Sequence, residues 1–253
     1  MDFAFADTQK KRSGPSKKWT SKMIKEELDR LDEKIEDAKA REGDVEIRDA
    51  ILAKAQFYKD EAQDYPAAEK VFREAYALSG GPSRKMEILF EILQMNIEKY
   101  DVDALKKDIA TCQQLVEEGA DWDKKNKLKI YEGVYCLIVL DFKKAAELLI
   151  SSIATFTCVE LMDYRQFVFY TVVVALMTQD RKTLKTKIVN SSDILSVIRD
   201  IPHLKQYLES FYNCEYRQFF EAFVEILEAV GNDVYLRDHV GHYAKEMRLV
   251  AYR

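Results

Sequence analysis

Only 8 glycines and 4 prolines punctuate the 253 residues of this chain, and that scarcity restricts its fold more than any other feature. Turns are therefore few, and with Ala, Leu, Glu and Lys plentiful most of the backbone has to hydrogen-bond within helices. The expected fold class is all-α. Apolar residues make up 47% of the chain and charged ones 33%, enough for a core about one side chain deep between charged faces, in a soluble protein. The net charge of −5 is mild and its signs are interspersed, which leaves no broad basic footprint for nucleic acid and no polybasic surface for a membrane. Cys112, Cys136, Cys158 and Cys214 are widely separated, with no CxxC pair and no secretory signal ahead of them, as expected for reduced thiols in the cytoplasm or nucleus. The most apolar stretch, Phe167 to Met177, falls short of the ~20 residues that span a bilayer and reads as a buried helix.

Along the chain, residues 1–19 combine two phenylalanines with Lys10-Lys11-Arg12 and Lys17-Lys18, too little apolar surface to offset the entropy of ordering, so a disordered or foreign tail is expected. Over 20–42, Ile24, Leu28, Leu31, Ile35 and Ala38 recur at spacings of four and three and predict an amphipathic helix docking through a narrow edge. A helix over 45–62 precedes Pro66, tolerated in the first turn of a second helix that carries Ala68, Phe72 and Ala75 inward. Gly80-Gly81-Pro82-Ser83 is the clearest break, with Ser83 placed to cap the next helix. A second pair is expected over 84–100 and 103–118, ended by Gly119. A third starts after Asp121-Trp122-Asp123, feeds Leu128, Ile130, Tyr131, Tyr135 and Leu137 into the core, and turns at Asp141 into a helix with Ala145, Leu148, Leu149 and Ile153. Further helices are expected over 158–178, 180–190, 192–200, 202–213, 215–230 and 233–253. The β-branched and aromatic run Phe167 to Ala175 also admits a strand, but it has no pairing partner between helical neighbours.

Two of these hairpins place a small residue four positions before a large apolar one at the start of their second helix: Ala68 with Phe72, and Ala145 with Leu149, the latter preceded by Gly133. The small residue admits close helix approach and the bulky one fills the groove beside it, a pattern like the tetratricopeptide repeat with some of its usual positions unfilled. The expected architecture is a tetratricopeptide-like helical-hairpin solenoid, a right-handed superhelix, over 43–200.

The chain has no GxxxxGK[ST], GxGxxG, GxSxG or HExxH motif. His239 and His242 lie three apart, but no local Cys or acid completes a ligand set, so with His203 they read as packing or surface residues. Glu26, Glu27, Asp29, Asp32 and Glu33 alternate with Lys and Arg as a solvated helix face does. Asn190-Ser191-Ser192 fits a glycosylation pattern only formally. The aromatics Tyr207, Phe211, Tyr212, Tyr216, Phe219, Phe220 and Phe223 lack the basic groove of a nucleic-acid platform and read as core. The sequence therefore assigns no catalytic, cofactor-binding or metal-ligating residue and no cofactor.

Five strings point further: EIRDAILAKAQFY (46–58), GADWDKKNKLKIYEGVYCL (119–137), DFKKAAELLISSIATFTCVELMDY (141–164), YLESFYNCEYRQFF (207–220) and HYAKEMRLVAY (242–252). In collinear order over about 22–253 they resemble the family of non-ATPase regulatory subunit 6 of the 26S proteasome, a lid subunit; a related signalosome subunit shares the architecture and is the alternative. The resemblance implies a non-catalytic scaffold with a helical solenoid followed by a PCI domain, of which 201–253 would be the helical start. Its implied partners are other PCI subunits of the lid and the deubiquitinating module in a hetero-oligomer that degrades ubiquitinated proteins, with no small-molecule substrate, no membrane and no nucleic acid. The family's winged helix and last helix would follow Arg253, so Met247, Leu249 and Tyr252 are expected to show apolar surface that those parts cover.

Overall fold

A computed structural model describes residues 20–41 and 43–252, so the tail expected over 1–19 lies outside the described residues. Those residues form thirteen α-helices and no strand, in keeping with the all-α reading. They fall into two compact units, one ending at Lys124 and one beginning at Lys125.

In the first unit, α1 (Ser21–Ala40) starts where the Thr20 hydroxyl accepts the Met23 N–H. It buries Leu31, Ile35 and Ala38, the C-terminal half of its apolar stripe, while Ile24 and Leu28 stay half-buried. α2 (Asp44–Asp60) and α3 (Tyr65–Leu78) make the first hairpin, with Pro66 in the first turn of α3 and Ala68, Phe72 and Ala75 fully buried. α4 (Pro82–Lys99) and α5 (Val102–Glu117) make the second. The break before α4 lies where the sequence places it, but Ser83 does not cap the helix. Gly81 holds that position at φ 85°, Pro82 opens the helix, and the Ser83 hydroxyl accepts the Asp121 N–H at 3.0 Å.

One turn design recurs through the chain. Gln63, Tyr100, Leu140 and Cys214 adopt left-handed backbone at φ 54–63°, and each precedes an acidic residue: Asp64, Asp101, Asp141 and Glu215. The left-handed residue lets the next N–H reach back to an orphan carbonyl of the ending helix, as from Asp101 to Asn96 at 3.0 Å and from Asp141 to Cys136 at 2.9 Å. The three aspartates then accept an N–H of the next helix, from Ala67, Ala104 and Lys144. Counted from these caps, positions +4 and +8 are buried in every hairpin: Ala68 and Phe72, Leu105 and Ile109, Ala145 and Leu149.

α6 (Trp122–Ile138) begins in the last residues of the first unit, and its body belongs to the second, where it pairs with α7 (Phe142–Ser151). A Cβ on Gly133 would lie 2.8 Å from Leu149 Cδ2, so the absence of a side chain there sets the approach of the two helices. Ile153 lies beyond α7 in a buried 3-10 turn, and Leu148 is half-buried. α8 (Tyr164–Thr178) is helical, not extended, and is buried without interruption from Gln166 to Leu176. It starts later than expected because the Asp163 carboxylate accepts the Gln166 N–H at 2.7 Å and caps it there. The segment expected over 180–190 is α9 (Arg181–Thr183) passing into a π-turn (Leu184–Val189); α10 (Ser192–Val197) follows and ends in a 3-10 turn.

α11 (Leu204–Asn213) and α12 (Tyr216–Gly231) form a further hairpin. The last expected helix, 233–253, is shorter: Asp233 accepts the N–H groups of Tyr235 and Leu236, which turns the chain before α13 (Val240–Ala251) can start. The aromatic cluster is core at Tyr207, Phe219 and Phe223, whose rings stack, whereas Tyr216 is exposed. Met247, expected on an exposed face, is fully buried; Leu249 and Tyr252 are exposed.

Candidate interaction surfaces

The residues weighed for chemistry are dispersed. His239 sits at the start of α13, and His242, in its first turn, stacks on Phe142 with ring centroids 6.0 Å apart. His203 holds left-handed backbone at the start of α11, beside a polar recess of about 600 Å³ in the second unit. Among the described residues no group of three or more His, Cys, Asp or Glu side chains is placed to hold a metal ion. On α1, Glu26 and Glu27 pair with Lys22 and Arg30, and Asp32 pairs with Lys54 of α2. These are solvated ion pairs of small individual worth. Ser191 caps α10.

Burial pushes the thiols of Cys112 and Cys158 up to about 12 and that of Cys136 to about 11, which keeps them protonated and inert. Cys214 is the exposed one. The Arg181 guanidinium donates to its sulfur at 3.3 Å, stacks over Tyr212, and lowers the thiol from its ordinary value.

Two buried polar clusters were not foreseen. In the first unit, Asp108 of α5 is 3% exposed and accepts Arg73 Nη2 of α3 at 2.8 and 2.9 Å and Asn96 Nδ2 of α4 at 3.1 Å. Desolvation raises its carboxyl, opposed by the hydrogen bond and charge of Arg73. In the second unit, Tyr170 of α8 donates to Asp233 at 2.6 Å and accepts from Gln166 at 2.9 Å, while the hydroxyls of Tyr207 and Tyr243 lie 2.7 Å apart. Their sequence signal is a charged or polar residue at an otherwise apolar position: Asp108 stands seven residues after its cap, where the other hairpins have Val71 and Leu148.

Exposed apolar side chains are scattered over the surface, Trp122 by 65% and Val159 by 66% among them, and two further places carry several apolar residues. In the first unit a groove of about 440 Å³ is lined by Ile35, Ile51, Val71 and Leu78 together with the charged Asp32, Glu36, Lys39, Lys54 and Glu74; Ile35 and Ile51 are buried in its floor and Leu78 is exposed. In the second, Val224 of α12, Leu249 of α13 and Tyr252 just past the end of α13 are exposed, Tyr252 by 78%, with the Tyr252 ring 6.1 Å from that of Phe220.

The fold defines an all-α protein of capped helical hairpins. Residues 16–187 match the family model described as 26S proteasome subunit RPN7, and the chain belongs to that family. The 26S proteasome non-ATPase regulatory subunit 6 of Oryza sativa subsp. japonica is 42% identical over 230 residues, covering 90% of this chain and 59% of the relative. The homolog of Arabidopsis thaliana is 42% identical over 228 residues, 90% of this chain and 58% of its own length. The 26S proteasome regulatory subunit RPN7 of Saccharomyces cerevisiae is 29% identical over 239 residues, 91% of this chain and 55% of the yeast protein. The chain thus spans less than two thirds of the length of these relatives. The proteasomal family model and relatives do not favour the signalosome alternative.

Proposed function

We propose that the chain is a non-catalytic structural subunit of the 26S proteasome regulatory-particle lid, supporting lid assembly and the ATP-dependent degradation of ubiquitinated proteins. The observation that carries this reading is the collinear similarity to proteasome regulatory subunits over 90% of the chain. In the same reading, residues 43–200 form the repeats and 201–253 open a PCI domain. The exposed faces of α1–α3 and of α12–α13 meet other PCI subunits and the deubiquitinating module, in the cytoplasm and nucleus. No helix among the described residues is long and apolar enough to cross a membrane. The test is to purify the tagged full chain from its own cells and identify what accompanies it. Proteasome regulatory subunits in stoichiometric amounts are the expected result. Their absence overturns the proposal, and signalosome subunits in their place transfer the role to that assembly.

A further inference from the structure

The hairpins of the first unit present similar apolar faces, which leaves open how the sequence specifies which hairpin stacks on which. The buried cluster at their junction supplies an answer. Position +7 after the cap is Val71 in the first hairpin, Leu148 in the third, and Asp108 in the second. Position +9 is Arg73 in the first hairpin, Ala110 in the second and Ile150 in the third. Five residues before the cap stand Lys59, Asn96 and Cys136. The carboxylate and its amide thus belong to the second hairpin alone, and the guanidinium that reaches them to the first alone.

We propose that Arg73, Asn96 and Asp108 form a matched key that fixes the order and register of the first two hairpins, at a cost in stability relative to an apolar junction. Asp108 is 3% and Asn96 1% exposed, so a neighbour other than α3 with its Arg73 leaves a buried carboxylate without its cation. That penalty falls on every alternative: a slipped register, a skipped hairpin, or a hairpin borrowed from a second copy. The native arrangement satisfies Asp108 with three hydrogen bonds from two helices, at 2.8, 2.9 and 3.1 Å. Arg73 is partly open to solvent and also reaches Glu69 at 3.4 Å. The desolvated partner is therefore the carboxylate, and the guanidinium is the piece whose position is being read.

The inference stands apart from the proposed lid role, because it is tested on the isolated full chain. Arg73→Met, which strands Asp108, is expected to lower Tm by about 10 °C. The triple variant Arg73→Met/Asn96→Leu/Asp108→Leu, which replaces the key with apolar side chains, is expected to recover the wild-type Tm or exceed it. The wild type and the triple variant are then each made with two different tags, and the two tagged forms of each are unfolded together and refolded. The wild type is expected to return as monomer with no mixed-tag species, and the triple variant as a population containing mixed-tag dimers. A triple variant that refolds as cleanly monomeric and as cooperatively as the wild type overturns the proposal. So does a triple variant less stable than the wild type, which would show that the cluster acts by adding stability, or an Arg73→Met variant as stable as the wild type.

Discussion

Asp233 is the residue whose environment has the plainest consequence. Its carboxylate accepts the Tyr170 hydroxyl and two backbone N–H groups, yet burial is the larger influence and holds its pKa above the ordinary 3.8. A raised carboxyl binds its proton in the folded state at a pH where the unfolded chain has already lost it. Stability therefore falls as pH rises from 3.8 through the folded-state value, and levels off above it. Asp233→Asn lacks this titration. Measured from pH 4 to 8, the urea midpoint of the variant relative to the wild type is expected to rise through that window and then stay constant; a difference independent of pH would show that Asp233 does not titrate there. Asp108, also raised, contributes with the same sign, but its Arg73 partner opposes the shift.

At the scale of elements, Gly133 controls how α6 meets α7. Gly133→Ala places a methyl 2.8 Å from Cδ2 and 3.2 Å from Cγ of Leu149, which is fully buried and cannot swing out to solvent. Overpacking of about 1–3 kcal/mol exceeds the ~1 kcal/mol that alanine gains in helix propensity, so a net loss of about 1 kcal/mol is expected. In a Leu149→Ala background the same change is expected to stabilise, and denaturant titration of the four proteins checks the reversal of sign. This close approach was legible in the sequence, as were Pro66 at the start of α3 and the break around Gly81, because each rests on the backbone or volume of a single residue. What was not legible lay either in backbone geometry that residue type does not announce or in partners that meet only in the fold. Gln63, Tyr100, Leu140 and Cys214 hold left-handed backbone that nothing in their residue type announces, and the late starts of α8 and α13 depend on carboxylates that take up backbone donors locally. The Arg73–Asp108 junction exists only once two hairpins meet. The family was legible through collinear strings, and no residue's chemistry disclosed it.

For the molecule as a whole, reactivity is concentrated in one thiol. Three cysteines are buried and shifted upward, while Cys214 is exposed beside Arg181 and shifted downward. A chromogenic aromatic disulfide is expected to titrate one thiol of the native chain quickly and the other three only after denaturation. Cys214→Ser should remove the fast phase, and Arg181→Leu should slow it at pH 7 by reducing the thiolate fraction. Two or more fast thiols in the native chain would contradict the packing described for α5, α6 and the segment before α8.

The continuous burial of α8 bears on what the second unit does under load. A helix enclosed along eleven consecutive residues, and tied through Tyr170 to Asp233 and through the Val173 carbonyl to Tyr243, has no free face on which to slide. Its neighbours cannot shift singly without opening a void around it. A push delivered at one end of so densely packed a body is passed on instead of being absorbed, which is the behaviour of a strut.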